Sequence, residues 1–411
     1  MILSKNKLLF ITYHFPPAGG PSTPASLRNG AFVKYLSEYS WDIYVIALGC
    51  KSMQRVDETL PLSNYKNVIR INDPIPSFKG KTRISSLFPL SFMLWPWALK
   101  VIFLSLRLIR KIKPNVVLVS GPPFVTFLVG IFIKLKTGIP LILDYHDQWT
   151  YNPYRLGPKI YRVIDKLIEG FILKHSNLII VTNEFRLKEH IVHWGDNKNI
   201  INVNNGWDDY EFNKLRNEGR KDTECILIRH LGAIYGARIK PCCEFLNKLY
   251  DQVNLLKINK KIIIEFYGFI PSSLIRKSWE KGSNIDIKEF SWVSFKEAKI
   301  KEKTADCLLV ITGEHNQNYA EDTSKFYEYL ATGRPIIILG KPAALYNKFS
   351  KVNRIFWISF NISDEEIRNL IFWLNQDFSK IEMDNIYEEI RSFHKKEQIK
   401  KFAFYLNNNF K

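Results

Sequence analysis

Short apolar runs that end at glycine or proline, each followed by a segment of helical spacing, recur from one end of the chain to the other. Leu8–Tyr13 runs into Pro16-Pro17-Ala18-Gly19-Gly20, and Ser26–Leu36 then has helical spacing. Asp42–Leu48, Val116–Ser120 and Pro140–Asp144 repeat the strand-like pattern, with Ala98–Lys113 and Phe124–Leu135 reading as helices among them. Leu178–Thr182 and Ile200–Asn204 close this series. After a polar stretch a second series starts. Its strands are Cys225–Leu231, Lys261–Tyr267, Ile285–Phe290, Asp306–Thr312 and Pro335–Leu339, and its helices include Pro241–Gln252 and Thr323–Ala331. Such alternation builds βαβ units, with parallel sheets and helices on both faces.

A chain of 411 residues is long enough for two such domains. The fold class expected is α/β: two Rossmann-like doubly wound domains facing across a cleft, with ligands at the carboxyl ends of the strands. The boundaries read as 1–205 for the first domain, 206–224 for a polar linker and 225–383 for the second domain. The tail 384–411 is expected to be helical and to pack back on the first domain.

Charge narrows the partners. The chain has 59 Lys and Arg against 40 Asp and Glu, a net charge of +19. That balance attracts polyanions, either phosphorylated small molecules or anionic lipid headgroups. The basic residues are spread along the chain rather than gathered in a stripe or tail, which disfavours nucleic acid. Five cysteines, Cys50, Cys225, Cys242, Cys243 and Cys307, show no paired metal-ligand spacing and no disulfide framework, so no metal is expected and a reducing cytoplasm fits. Residues 84–99 carry no charge but are too short, and too interrupted by Pro89 and Pro96, to span a bilayer. The following helix sets Lys100, Arg107 and Lys111 on one face, beside Trp95, Trp97 and Phe103. Segment 84–113 is therefore either a core helix with a solvated basic face or a patch seated on an anionic membrane surface.

Four constellations carry possible chemistry. Gly19 and Gly20, between the first strand and first helix, allow backbone amides to approach an anion at a helix N-terminus, although the spacing matches neither a dinucleotide fingerprint nor a P-loop. Asp144-Tyr-His-Asp147 delivers three titratable groups, Asp144, His146 and Asp147, to a strand's carboxyl end. In His230–Lys240, glycines loosen a loop and Arg238 stands at a helix start, the physical makings of a diphosphate clamp. In Thr323–Pro335, Lys325 lies in the first helical turn, where a cation is unfavourable unless an anion binds there, and Glu328 shares its face.

Taken in order, Phe15–Gly20, Ser120–Pro123, Asp144–Trp149, Asn205–Asp208, Gly232–Arg238 and Lys325–Pro335 resemble family 4-like glycosyltransferases of the GT-B fold, over nearly the whole chain. The likeness is to bacterial enzymes that build surface polysaccharides from nucleotide sugars. It implies a donor site mainly in the second domain and an acceptor site, saccharide or lipid-linked, in the first. It also implies a retaining reaction with no cofactor beyond the nucleotide diphosphate sugar and no essential metal. On that resemblance Gly19 and Gly20 lie under the diphosphate, His146 faces the reacting sugar, Arg238 and Lys325 bind the diphosphate, and Glu328 holds the ribose. The family's first glutamate falls at Ala320; Glu321, Asp322 and Glu314 are the nearby carboxylates. A nucleotide-sugar epimerase of the same fold, and a non-catalytic polyanion or membrane binder, are the competing expectations. The enzyme is expected in the cytoplasm, peripheral on the membrane's inner face.

Overall fold

The computed structural model describes residues 6–75, 84, 89–152, 158–196, 199–209, 224–257, 260–271, 284–312, 323–341, 343–378 and 390–410. The chain divides into two compact units. The first comprises Met1–Asn204 with Lys395–Lys411, and the second Asn205–His394.

In chain order the first unit contains β1 (Asn6–Ile11), α1 (Thr23–Glu38), β2 (Trp41–Leu48), β3 (Val68–Ile71) and α2 (Trp95–Ile112). Next come β4 (Val116–Gly121), α3 (Val125–Thr137), β5 (Leu141–Tyr145), α4 (Lys159–His175), β6 (Leu178–Val181), α5 (Glu184–Trp194) and β7 (Ile200–Asn202). The seven strands are parallel in the order β3-β2-β1-β4-β5-β6-β7. Successive side chains leave a strand on opposite faces, and both faces here are covered. Leu9 and Ile11 of β1 pack with Trp97, Val101, Phe127 and Ile172 from α2, α3 and α4. Leu8 and Phe10 pack with Phe32 of α1 and Phe402 of the C-terminal helix Lys395–Asn409. Phe32 meets Phe402 edge to face, ring centroids 5.5 Å apart.

Residues Phe92–Ile112 are long and apolar enough to cross a bilayer, but only a third of that stretch is buried. Trp97, Ala98, Val101, Ile109 and Ile112 form its inner stripe and are built into the core.

The second unit contains β8 (Cys225–Leu231), α6 (Ile239–Leu255), β9 (Lys261–Tyr267), β10 (Ile285–Phe290), α7 (Phe295–Lys303) and β11 (Cys307–Ile311). It continues with α8 (Ser324–Thr332), β12 (Ile336–Leu339), α9 (Ala343–Phe349), β13 (Ile355–Ile358) and α10 (Asp364–Leu374). Its six strands are parallel in the order β10-β9-β8-β11-β12-β13, the same winding as the first unit. Gly333 ends α8 in the left-handed conformation, φ 69°, which costs a residue without a Cβ little.

The residues before β8 side with the second unit. The Trp207 indole donates to the Ile390 carbonyl at 2.8 Å, and the Trp207 amide to Phe393 at 3.2 Å. The return to the first unit comes at Lys395 rather than at 384. Residues 210–223 of the expected linker lie outside the described residues.

Candidate functional site

In a doubly wound sheet the connections leaving two adjacent strands run to opposite faces where the strand order reverses, and a crevice opens beyond their carboxyl ends. That point lies between β1 and β4 in the first unit and between β8 and β11 in the second.

At the first, Asp144 near the end of β5 is fully buried and organises the surroundings. Arg28 of α1 reaches it with Nη2 at 2.7 Å and Nε at 3.2 Å, and donates Nη1 to the Val203 carbonyl at 2.9 Å. His146 Nε2 lies 2.8 Å from Asp144 Oδ2 and 2.8 Å from Ser120 Oγ. Ser120 lies 3.0 Å from Asn29 Oδ1, and Asn29 Nδ2 donates to Thr12 Oγ1 at 2.8 Å and to the His14 carbonyl at 2.6 Å. Burial by itself raises the Asp144 pKa, but Arg28 and His146 outweigh it and hold the carboxyl well below the usual range. An ionised carboxylate against Nε2 keeps a proton there and leaves Nδ1 as the ring's other polar edge. Burial, with the neighbouring His146 adding to it, lowers the His14 pKa to about 4, so His14 is neutral at neutral pH.

The loop before α1 is stitched down by the chain at 55–57. The Gly19 amide donates to the Arg55 carbonyl at 3.0 Å and Asp57 donates to Pro17 at 2.8 Å. The Gly19 amide, expected to meet a ligand, is thus spent inside the protein. Gly20 takes φ 61° and opens the short turn leading into α1. Asp147 stands apart from the Asp144 network, half exposed and 3.8 Å from Arg186.

In the second unit, Gly232 follows β8 and takes φ 147°, a backbone conformation that favours glycine, with the Lys325 ammonium lying close against it. A Cβ there would overlap Lys325 Nζ. Burial, then the Arg238 charge, brings the Lys325 pKa down from 10.5 to about 7, against the pull of Glu302 and Glu328. Arg238 occupies the N-cap position of α6, without a capping side-chain hydrogen bond, and its guanidinium lies over the Tyr235 ring, 5.3 Å from its centroid. Two basic side chains and a helix N-terminus are thus gathered in one place, the donor chemistry that suits an anion. Beneath them, buried His230 donates Nδ1–H to the Leu309 carbonyl at 2.9 Å, and burial with Lys325 nearby lowers its pKa well below the usual value.

Glu328 is buried and bound by Lys299, which also holds Glu302 at 2.9 Å. Burial, with Glu328 adding to it, pushes the Glu302 pKa up to about 7 despite Lys299. The sequence paired Glu328 with Lys325 on one helix face; its strongest partner comes instead from α7, packed against α8. Glu314, Glu321 and Asp322 lie outside the described residues. Among the described residues no group of three or more His, Cys, Asp or Glu is placed to hold a metal.

Arg28, Asn29, Lys299 and Glu302 escaped the sequence reading. Arg28 is 116 residues from Asp144, and Lys299 is 29 from Glu328, so no local spacing links them. Ser120 and His230 fell inside recognised motifs but had no role assigned. A charged residue inside an otherwise apolar helix face, as Arg28 is, was the signal available.

Residues 31–210 match the family model described as Glycosyltransferase Family 4. No curated protein matches the chain by sequence. Among solved structures the chain is similar to sucrose-phosphate synthase from Thermosynechococcus elongatus, with 12% identity, TM-score 0.61 and coverage of 98% of this chain and 100% of that one. It is similar to an alpha,alpha-trehalose-phosphate synthase (UDP-forming) from Burkholderia xenovorans, with 10% identity, TM-score 0.64 and coverage of 98% and 100%. It is also similar to a putative UDP-N-acetylglucosamine 2-epimerase from Listeria monocytogenes, with 13% identity, TM-score 0.61 and coverage of 99% and 97%.

Proposed function

We propose that this protein, a GT-B fold with a glycosyltransferase family 4 domain over residues 31–210, moves a sugar from a nucleotide diphosphate sugar to an acceptor hydroxyl in the assembly of surface polysaccharide or glycolipid. The observation that carries the reading is the pair Lys325 and Arg238 at the carboxyl end of β8, with Gly232 stripped of a side chain to let the ammonium lie against the backbone. In the transfer, the bond from the anomeric carbon to the diphosphate oxygen breaks and the acceptor oxygen takes its place. The acceptor proton is released and the nucleoside diphosphate departs. Lys325, Arg238 and the N-terminus of α6 oppose the charge growing on that leaving group. Support for His146 as the residue at the reacting sugar is its fixed ring, tethered through Nε2 to Asp144. Retention of configuration, and charge neutralisation by side chains rather than a divalent ion, follow from the family likeness.

Arg238→Ala and Lys325→Ala are each expected to cut donor turnover by about 10²–10³ while thermal unfolding stays near the parent's. Near-normal turnover in both variants removes the diphosphate assignment. The fold is shared with the Listeria epimerase, so the enzyme is also incubated with UDP-N-acetylglucosamine alone. Epimerised sugar without any acceptor establishes that second reading instead.

A further inference from the structure

Helix α4 is built inside out. Its two acidic residues, Asp165 and Glu169, point into the protein and are 0% and 2% exposed. Ile160, Val163, Ile164, Leu167 and Phe171 lie at the helical spacing of one stripe on the opposite side, and every one is exposed, Leu167 by 70%. Lys159, Arg162, Lys166 and Lys174 are exposed on the same helix. An ordinary surface helix would carry the carboxylates outward and the leucine inward.

The two neighbouring helices share the habit. α2 packs on α3 and α3 on α4, all on one face of the first sheet. Leu99 and Phe103 of α2 are 60% and 62% exposed, and Leu135 of α3 is 59% exposed. Neither α2 nor α3 contains an Asp or Glu, while Lys100, Arg107, Lys111 and Lys136 are exposed on them. Three adjacent helices thus present apolar side chains and cations outward, and their only carboxylates are buried. Helix α2, the described helical part of the segment singled out in the sequence, is one edge of this face.

We propose that the outer face of α2, α3 and α4 seats the enzyme on an anionic lipid bilayer, with the α4 stripe entering the acyl boundary and the lysines and arginines at the phosphate level. Charge complementarity selects this occupant. A second copy of the chain, joined by a two-fold axis, would set the same cations against themselves, in a protein already at +19. The face stands on packing and charge in the first unit, so it is separable from the sugar-transfer reading.

The test is flotation of the full chain with vesicles of equimolar phosphatidylglycerol and phosphatidylcholine, and with phosphatidylcholine alone. The expected result is binding to the anionic vesicles that weakens with salt and is much weaker on the neutral ones. Leu167→Glu with Val163→Glu should lower binding by at least about tenfold. Lys159→Gln and Lys166→Gln should lower it by about fivefold each, the equivalent of about 1 kcal/mol per basic residue near the surface. Phe404→Glu, at an equally exposed phenylalanine on the C-terminal helix of the opposite sheet face, should leave it unchanged. Circular dichroism and turnover on a soluble acceptor should match the parent's in all four variants. Three outcomes overturn the proposal: no vesicle binding by the parent; binding indifferent to the α4 substitutions; or a parent dimer in sedimentation velocity that Leu167→Glu dissociates.

Discussion

At the carboxyl ends of β4 and β5 the group that organises the surroundings is a carboxylate, Asp144; at the end of β8 it is an ammonium, Lys325. The two sheets are wound in the same order, so topology offers a crevice in the same place in each. The side chains decide what each crevice is for. Around Asp144 a guanidinium and an imidazole satisfy the charge from within, so the first site holds its histidine rigidly and keeps no net charge to spare. Lys325 has Arg238 beside it, and the carboxylates behind it, Glu302 and Glu328, are shared with Lys299, so among these five residues three basic groups meet two carboxylates. A fold thus fixes an address, and local charge balance fixes the guest.

The sharpest way to break this contrast is to remove the group each site uses. His146→Ala should cut turnover by about 10²–10⁴, with little change in thermal unfolding, if the imidazole works at the reacting sugar. A loss of stability equal to the loss of rate would reduce it to a packing residue. Asp144→Ala should destabilise the fold by about 3–5 kcal/mol in denaturant titration, because it strands the buried Arg28 guanidinium. A cost under about 1 kcal/mol would mean that water reaches Arg28 and that the carboxylate does not organise the site.

Titration sharpens the contrast further. A lysine whose pKa is brought down to about 7 loses its charge as pH rises above that value. Affinity for a nucleoside diphosphate should therefore weaken by up to about tenfold per pH unit above 7 in calorimetry, and Lys325→Arg should flatten the profile. A flat parental profile would show Lys325 charged throughout.

The last effect concerns Glu169, under α4. Burial raises its pKa from 4.5 to about 7, opposed by the Thr150 amide donating at 3.0 Å. The folded state holds a proton that the unfolded chain releases, so this contribution is complete below about 4.5 and lost as pH rises through 7. Glu169→Gln should accordingly be stabilised relative to the parent by roughly 2–3 kcal/mol more at pH 8 than at pH 4.5. An equal difference at both pH values would show the carboxylate to be hydrated.

Several strands were legible nearly to the residue. Cys225–Leu231, Lys261–Tyr267 and Ile285–Phe290 read from the sequence as they stand in the fold, the first two as largely apolar runs cut off at a glycine and the third as an alternation of apolar and charged residues. β3 and β13 were missed; Val68–Ile71 and Ile355–Ile358 are short, and one carries Arg70 and the other Trp357 within four residues. Gly232 and Lys325 were each noticed alone, 93 positions apart, and their mutual overlap was beyond any motif. The α4 stripe went unread, although its period is plain, since an amphipathic helix shows two faces in sequence and does not say which is turned inward.

The order of apolar runs and turns, by itself, determined that this chain makes two parallel, doubly wound sheets, because backbone hydrogen bonding and burial on both faces leave few other ways to satisfy such a pattern. The net charge was fixed there too, and with it the leaning toward anionic partners. Only the tertiary structure decided where the charge lies: that Arg28 and Asp144 neutralise each other, that Lys299 takes Glu328, and that α4 turns its acids inward. Charges act through distance and desolvation, and both are set when segments remote in sequence are packed against one another.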